Sequence, residues 1–380
     1  MNIVFLVERP TQFEAPFYRF AARDHRHELR VFFTGTGVAE PVLDPELGQP
    51  VSWGIDLLDG YPHEVCPQDG AESWLAERLR PERCELVIAN GYTQPLYRLG
   101  VRLAKAAGIA TALRLDSVLW DGSLLRNLAK RILFATYMKK AYDLFLGVGS
   151  LTLDYLQAFG VPAERTGLFP YAVDVEAFRE RSALSPAERA AVRERLGVPV
   201  DTPLVLSLAK FNEREAPWDL LRAFDRLRDR EIWLVLAGDG PERADLEGTV
   251  EASGLSRVRF PGYIPYPELP ALYGASDLFV HPAREERWGV SVQEALACGL
   301  PVVASSRVGA GVDLIEPAGN GFLYEAGWEG ELARRVEDAL ALPRNEVRAA
   351  SAAILSRWDY AATWRNLLEA AARLRGTEAP

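Results

Sequence analysis

Positive charge, cysteine and long apolar runs are scarce in this sequence. It carries 53 acidic and 43 basic side chains in 380 residues, a net charge of −10. This balance argues against a general nucleic-acid-binding protein, because such proteins carry a broad basic excess. No apolar run approaches the roughly 20 residues that span a bilayer. Residues 3–7 are apolar with no basic stretch before them, which is typical of a first strand rather than a signal peptide.

The three cysteines, Cys66, Cys84 and Cys298, are odd in number and have no metal-ligand spacing. We therefore expect reduced thiols in a cytoplasmic protein. No Asp-x-Asp pair near a predicted strand end indicates a metal site, and no pattern indicates a cofactor.

What is present is an ordinary globular composition, 48% hydrophobic and 25% charged, in a chain long enough for two domains. Short apolar runs alternate with helical patterns in both halves, which predicts parallel sheets with crossover helices. The segments 141–146 and 275–280 also resemble each other. The sequence predicts an α/β protein with two doubly wound, Rossmann-like domains facing across a cleft. The strands predicted are 3–7, 28–33, 86–89, 110–115, 144–148, 204–209, 233–238, 258–260, 278–281 and 302–305.

The most informative stretch is residues 286–299, E-R-W-G-V-S-V-Q-E-A-L-A-C-G. It follows a predicted buried strand, and its apolar positions predict a helix that ends at Gly299. Gly289 at the helix start lets the backbone approach a ligand closely. The N–H groups from Gly289 to Ser291 would be unpaired there, and the helix dipole favours an anion. This pattern predicts a phosphate site.

Two carboxylates, Glu286 and Glu294, flank this predicted phosphate site. A phosphate would repel them, so each is better suited to accept hydrogen bonds from hydroxyl groups such as those of a sugar or a ribose. N–H groups that can bind phosphate, beside carboxylates that can accept hydrogen bonds from hydroxyl groups, together indicate a nucleotide-sugar.

Glu286 and Glu294 are separated by seven residues and followed by A-L-A-C-G-L-P-V-V-A. This segment resembles the E-x7-E signature of retaining glycosyltransferases of family 4, and the likeness continues through Gly309, 313–315 and 319–322. The resemblance implies the GT-B fold, with an N-terminal acceptor domain at 1–180. A C-terminal helix at about 358–380 would return to this domain and pack on it. It implies a nucleotide-sugar donor domain at 196–357.

The resemblance also implies a chemistry. The sugar would pass from a nucleoside diphosphate to a hydroxyl with retention of configuration, the leaving phosphate taking the acceptor proton, without a metal. A double displacement would need a carboxylate nucleophile, for which Glu286 is the one candidate, and we do not favour it. The donor contacts implied are Gly289, Val290 and Ser291 for the phosphates, Glu294 for the ribose, Glu286 for the sugar hydroxyls and Ile264 for the base.

The segment 209–217 resembles a family loop that holds one cation and a later lysine near the diphosphate, where positive charge stabilises the leaving group. Lys210 occupies the first position, and Glu215 aligns with the second. Two alternatives follow. Either Arg214 supplies the missing cation, or Lys210 and the helix N-terminus hold the diphosphate alone.

In the first half, polar residues follow predicted strands. Arg114 and Asp116 resemble an R-x-D/E-S segment of one branch of the family and would face the cleft as acceptor or sugar contacts. An internal Arg–Asp ion pair is the alternative. Asn90 and Tyr92 end another strand, at the edge where open α/β sheets bind ligands. They suit hydroxyl recognition, although an ordinary turn is equally compatible with them.

Residues 123–141 carry five basic side chains and no acid, beside several large apolar ones. A basic amphipathic helix of this kind can rest on anionic lipid headgroups at the inner face of a membrane. The alternative is a helix whose apolar face packs on the sheet. We therefore expect a cytoplasmic enzyme of polysaccharide or glycolipid synthesis, and the first of these two interpretations makes it peripheral to the membrane.

We therefore interpret the sequence as a hexosyltransferase that uses a nucleoside-diphosphate sugar and a hydroxyl acceptor. The acceptor would be a glycan, a lipid-linked molecule or a small molecule. Two alternatives stay open: a nucleotide-sugar epimerase of the same fold, and a non-catalytic GT-B subunit.

Overall fold

A computed structural model describes residues 1–35, 38, 42–44, 49–51, 54–120, 124–315 and 319–376. Ser123 of the predicted basic segment and the last four residues of the predicted returning helix region lie outside the described residues. The chain forms two compact units. The first comprises Met1–Glu40, Asp56–Ala172 and Trp358–Pro380, and the second comprises Pro41–Ile55 and Val173–Arg357.

The strands form two parallel sheets, of seven and six strands, and one antiparallel pair. In chain order they are β1 (Asn2–Val7), β2 (Glu28–Phe33), β3 (Val42–Asp44), β4 (Gln49–Val51), β5 (His63–Val65), β6 (Leu86–Asn90), β7 (Ala110–Leu115), β8 (Leu144–Gly147), β9 (Thr166–Leu168), β10 (Leu204–Lys210), β11 (Trp233–Asp239), β12 (Val258–Gly262), β13 (Leu278–His281), β14 (Val302–Ser305) and β15 (Gly321–Tyr324).

Helices connect most of these strands, as parallel pairing requires. They are α1 (Glu14–Ala21), α2 (Ala71–Arg78), α3 (Pro95–Ala106), α4 (Leu124–Leu133), which continues as a π-helix (Phe134–Met138) into α5 (Lys139–Ala141), α6 (Ser150–Ala158), α7 (Val175–Arg181), α8 (Pro186–Arg195), α9 (Pro217–Arg226), α10 (Arg243–Ala252), α11 (Leu269–Ala275), α12 (Val290–Ala297), α13 (Gly309–Leu314), α14 (Glu329–Leu340), α15 (Arg344–Leu355) and α16 (Tyr360–Arg375).

The first sheet has the order β5-β2-β1-β6-β7-β8-β9. Its core includes an aromatic cluster in which the ring of Phe17 lies 5.5 Å from Phe169, 5.8 Å from Tyr360 and 6.3 Å from Trp364. Because Tyr360 and Trp364 belong to α16, the last helix is part of the core of the first unit.

The second sheet has the order β12-β11-β10-β13-β14-β15. The chain reaches this sheet through α8, which begins with a capping box between Ser185 and Glu188 and has Pro186 in its first turn. Strands β10, β13 and β14 are apolar and mostly buried. They are parallel neighbours in the sheet, so their carboxyl ends meet at one edge.

The two similar segments of the sequence perform the same structural task. Asp143 precedes β8 and accepts a hydrogen bond from the N–H of Thr111 at the start of the neighbouring β7, at 2.9 Å. Asp277 precedes β13 and accepts one from the N–H of Leu204 at the start of the neighbouring β10, also at 2.9 Å. Each carboxylate therefore satisfies a donor at a strand end that would otherwise be unpaired.

Every predicted strand is present, with bounds within two residues of those predicted. Five short strands were not predicted: β3, β4, β5, β9 and β15. Among the described residues, none of the helices combines the length and the apolar character needed to cross a bilayer.

Candidate functional site

The site predicted around Glu286 lies at the carboxyl edge of the second sheet. The loop from β13 to α12 carries Glu286, whose N–H donates to Arg307 O and whose carbonyl accepts from Gly309 N, both at 2.9 Å. Next to this pair, the N–H of Ala310 donates to the carbonyl oxygen of Trp288 at 2.7 Å. These backbone bonds hold the loop against the start of α13.

The close approach of these two segments depends on Gly309. A Cβ built there would lie 2.1 Å from the carbonyl oxygen of Arg287 and 2.9 Å from its carbonyl carbon. Backbone atoms cannot move aside as a flexible side chain can, so any larger residue would displace the loop that fixes Glu286.

We predict that Gly309→Ala destabilises the second unit by about 1–3 kcal/mol, the usual range for overpacking, and lowers the activity expected from the sequence at least about tenfold. Gly330→Ala is the matched control. Gly330 is exposed in the first turn of α14 with no atom within 4 Å of an added Cβ, so this change should be neutral or stabilising. Steady-state kinetics and urea unfolding of both variants test the prediction, and equal behaviour of the two would contradict it.

The start of α12 offers unpaired backbone donors. Gly289 precedes the helix with φ of 94°, and no side chain caps the helix. Among the residues that the structure describes, no acceptor is recorded for the N–H groups of Gly289, Val290 and Ser291. Three such donors at the positive end of a helix dipole can bind an anion.

Arg214 places a positive charge beside Glu286. Its guanidinium lies 3.5 Å from Glu286 Oε2 and 2.8 Å from Glu215 Oε1, and it donates to the carbonyl of Glu285 at 3.2 Å. The turn that carries it ends at Ala216, whose φ of 53° is the one positive value outside glycine among the described residues. Such a conformation persists only where the surroundings impose it.

Lys210 is the last residue of β10, paired in register with Asp239 of β11. Strand β10 is also the direct neighbour of β13. Lys210 therefore begins one edge loop, and Arg214 of the same loop reaches Glu286 in the next one. The structure brings the cation-bearing loop and the carboxylate-bearing loop together.

A third group converges on these carboxylates. His281, Glu215 and Glu286 each offer one potential ligand atom, and the three atoms lie within 4.8 Å of one another. Burial lowers the pKa of His281, so the imidazole is neutral. Within the described part of the chain its Nδ1 has no hydrogen-bond partner. Arg214 already pairs with both carboxylates, which gives this cluster a positive charge of its own.

Glu294 is buried in the second turn of α12, with 4% of its surface exposed. It accepts a hydrogen bond of 2.9 Å from the hydroxyl of Tyr273, which also lies 3.3 Å from the carbonyl oxygen of Ser291. Burial raises the pKa of Glu294 to about 8 although the bond from Tyr273 opposes the shift. In the ligand-free protein this carboxyl group is therefore mostly protonated at neutral pH.

This raised pKa makes stability depend on pH. Between about pH 4.5 and 8 the folded protein holds a proton that the unfolded chain has lost, so the free energy of unfolding falls as pH rises, by up to about 1.4 kcal/mol per unit. We predict that Glu294→Gln, which cannot ionise, lacks this component. Urea unfolding at pH 6, 7 and 8 measures it as the difference in slope between the wild type and the variant, and parallel slopes would contradict the prediction.

Ile264 lies in the loop that follows β12 and is half-buried. The same loop leads to Tyr266, whose ring packs 5.8 Å from Phe178 and whose raised pKa reflects burial first and the nearby carboxylate of Glu294 second. The loop that carries Ile264 thus lies on the Glu294 side of the second unit.

In the first unit the structure changes the interpretation of Arg114. Its guanidinium is buried, donates to Glu14 at 2.7 Å and to the carbonyl of Pro170 at 3.0 Å, and lies 4.3 Å from the ring of Tyr171. Arg114 therefore does not face outward as a substrate contact. Its ion-pair partner is Glu14, not Asp116.

Glu14 is the residue that sequence reasoning missed. It lies 100 positions from Arg114, and its Oε1 also accepts from the side chain of Asn90 at 3.2 Å. Asn90 and Arg114 are register partners on β6 and β7, so the buried Glu14 links two strand ends. Asp116 and Tyr92 follow these strands as half-buried residues. Only the position of Glu14 at the start of α1, the first helix after β1, could have suggested it.

Two units, each with a parallel sheet connected by helices, define an α/β protein of the GT-B fold. Residues 188–355 match the family described as glycosyl transferases group 1.

The curated relatives that match are glycosyltransferases. The chain is 34% identical to 2-deoxystreptamine glucosyltransferase of Streptomyces kanamyceticus, over 46% of this chain and 45% of that one. It is 32% identical to the GDP-mannose-dependent alpha-(1-6)-phosphatidylinositol monomannoside mannosyltransferase of Mycolicibacterium smegmatis, over 56% of this chain and 55% of that one. The matched part thus spans about half the length of these relatives.

Solved structures extend the likeness of the fold to the whole chain. HepE of Anabaena, crystallised with UDP, superposes with a TM-score of 0.76 at 21% identity, covering 98% of this chain and 100% of that one. WaaG, a glycosyltransferase involved in lipopolysaccharide biosynthesis, superposes with a TM-score of 0.63 at 17% identity, covering 98% and 100%.

Proposed function

We propose that this protein transfers a hexose from a nucleoside-diphosphate sugar to a hydroxyl acceptor with retention of anomeric configuration. One observation carries the proposal: at one sheet edge the open amides from Gly289 to Ser291 lie in the same loop–helix segment as Glu286, beside the cation of Arg214. These protein groups suit a ligand that has both an anionic part and several hydroxyl groups.

In this proposal each donor part has its own partner. The diphosphate binds the N–H groups of Gly289, Val290 and Ser291 and the cation of Lys210. Glu286 accepts hydrogen bonds from the sugar hydroxyls, and the ribose binds Glu294. This last contact favours an ionised carboxylate, so donor affinity should rise with pH as Glu294 loses its proton. Ile264 lies in the loop that we assign to the base.

The proposed reaction needs no protein nucleophile. The acceptor oxygen attacks the anomeric carbon on the face from which the diphosphate leaves, the bond between that carbon and the phosphate oxygen breaks, and the phosphate oxygen takes the acceptor proton. Lys210 and Arg214 stabilise the negative charge that develops on the leaving group. Glu286 is a poor nucleophile because it is engaged with Arg214 and with the N–H of Trp288, at 3.2 Å.

We also propose that the reaction is independent of metal ions and of cofactors. A diphosphate needs positive charge beside it, and Arg214 supplies that charge between the carboxylates of Glu215 and Glu286. The family lysine that aligns with Glu215 is thereby replaced by its neighbour. Activity that survives treatment with EDTA supports this, and activity that is lost and restored by a divalent ion contradicts it.

We assign the acceptor to the first unit. Asn90, Tyr92 and Asp116 follow neighbouring strands there, and Arg114 acts on them indirectly, because it fixes Glu14 and through it Asn90. Several relatives are named for polyol or glycolipid acceptors, which are compatible with this arrangement. We also propose that residues 123–141 make a peripheral contact with an anionic membrane.

Thermal-shift measurements with UDP-, GDP- and ADP-sugars test the donor, because a ligand that binds the folded state raises the melting temperature. We expect stabilisation by at least one of them and its loss in Glu294→Ala. Nucleotide release should then require an acceptor, and NMR of the product should show the anomeric configuration of the donor. Sugar conversion without an acceptor would identify an epimerase, and no response to any donor would contradict the proposal.

A further inference from the structure

The helical segment Leu124–Ala141 of the first unit has one face that nothing in the described structure covers. Leu125, Leu128 and Ile132 expose 80%, 55% and 56% of their surface. At about 100° per residue, positions i, i+3 and i+7 form one stripe along a helix. Phe134 and Met138 are buried and anchor the other side of the segment in the core.

This exposure is concentrated rather than scattered. Eight large hydrophobic side chains of the described residues are exposed, and five of them lie between positions 119 and 137. Single exposed hydrophobic residues are ordinary, but a contiguous group marks an interaction surface. The five are Leu119, Leu125, Leu128, Ile132 and Tyr137.

The same segment is strongly basic. Residues 124–141 contain five cations and no acid, in a chain whose net charge is −10. Arg126 and Arg131 are exposed and lie about 100° and 120° to either side of Leu125 on the helix. Lys140 is exposed near the end of the segment. The apolar stripe is therefore flanked by positive charge on both sides.

We infer that the stripe of Leu125, Leu128 and Ile132 inserts into the headgroup region of an anionic bilayer, with Arg126, Arg131 and Lys140 on the lipid phosphates. An apolar stripe flanked by cations is the pattern of a helix that lies in the membrane interface. A second copy of the chain fits less well, because a symmetric pairing of this face would oppose cations to cations with no acid between them.

What this membrane contact implies for the acceptor rests on the proposed function, in which the first unit binds the acceptor. The helical segment follows β7, whose end carries Asp116 on the unit that we assign to the acceptor. Docking of this unit on a bilayer presents its strand ends to molecules anchored there. The acceptor class is then a hydroxyl on a membrane-held, lipid-linked molecule rather than on a freely diffusing one.

The test is co-sedimentation of the full chain with vesicles of phosphatidylcholine alone or mixed with phosphatidylglycerol. We expect binding to the anionic vesicles that weakens with salt. The combined variant Leu125→Ser, Leu128→Ser, Ile132→Ser should lose at least about tenfold in partitioning, as should Arg126→Gln, Arg131→Gln, Lys140→Gln. The matched control Val65→Ser, Val200→Ser removes exposed apolar side chains elsewhere and should bind like the wild type.

Equal partitioning of the wild type and the triple serine variant would overturn the inference. A dimer in solution that the same variant dissolves would identify a second copy as the occupant and would also overturn it. The donor-dependent thermal shift separates this failure from that of the proposed function. The triple serine variant should retain that shift, whereas a wild type without any shift would reject the reaction and leave the vesicle result unaffected.

Discussion

Lys210→Ala is expected to lower kcat by about 10²–10³-fold, the loss typical when one group that stabilises developing negative charge is removed. Lys210 ends β10 at the carboxyl edge of the second sheet, in the loop whose Arg214 reaches Glu286. In the proposed reaction the ammonium group of Lys210 mainly stabilises the negative charge that develops on the departing diphosphate. The affinity for the donor should therefore fall less than the rate of transfer does.

Steady-state kinetics with donor and acceptor measure this effect, and donor binding is followed separately by calorimetry. Lys105→Ala is the matched control, since Lys105 pairs with Asp143 in the first unit, at 2.6 Å, and surface pairs contribute little. Arg214→Ala should also lower kcat, and Arg214→Lys should restore part of it. A Lys210→Ala variant as active as Lys105→Ala would contradict the assignment of the cation.

Arg193→Met is expected to destabilise the second unit by about 2–4 kcal/mol, because buried carbonyl groups lose their donor, while Asp277 keeps its ion pairs with Arg189 and Arg344. The side chain of Arg193 is fully buried in α8. It pairs with Asp277 and donates to the carbonyl groups of Ala275 at 2.9 Å and Thr202 at 2.6 Å, among others. Methionine leaves these acceptors unpaired away from water.

Urea unfolding followed separately in the two units measures the effect. Only the transition of the second unit should move to lower urea, because the partners of Arg193 all belong to that unit. Arg195→Met, an exposed position of the same helix, should change stability by less than about 0.5 kcal/mol. A loss below about 1 kcal/mol in Arg193→Met would contradict the expected role of this buried network.

The parts of the fold that the sequence predicted best are those with strong local signals. Strand β13 and helix α12 were predicted because an apolar run is followed by helical spacing that Gly299 ends, and Gly299 has a φ of 73°. Strands β5, β9 and β15 were missed because they are short and, unlike the equally short β13 and β14, are not buried along their whole length, so their sequence signal is weak.

The contacts of the site depend on tertiary structure and could not be predicted in the same way. Glu286 and Glu294 were identified by their spacing, but the buried bond from Tyr273 to Glu294 joins two helices. For Arg114 the sequence left open a substrate contact and an internal ion pair with Asp116, and the partner in the structure is Glu14, the first residue of α1. Parallel strands bring distant loops together, and no local pattern encodes which loops meet.

Glu215 is the departure from the family pattern with the clearest physical consequence. Its negative charge would weaken a diphosphate site, but Arg214 lies 2.8 Å from it and 3.5 Å from Glu286. The sequence left two alternatives for this loop, and we propose the one in which Arg214 supplies the cation. The kinetic effect of Arg214→Ala decides between them.

A crystal structure of the full chain with a nucleoside-diphosphate sugar tests the central proposal most directly. The account predicts phosphate oxygens within hydrogen-bond distance of the N–H groups from Gly289 to Ser291, the ribose on Glu294 and the sugar hydroxyls on Glu286. An ordered nucleotide bound elsewhere, with these amides and both carboxylates untouched, would contradict it.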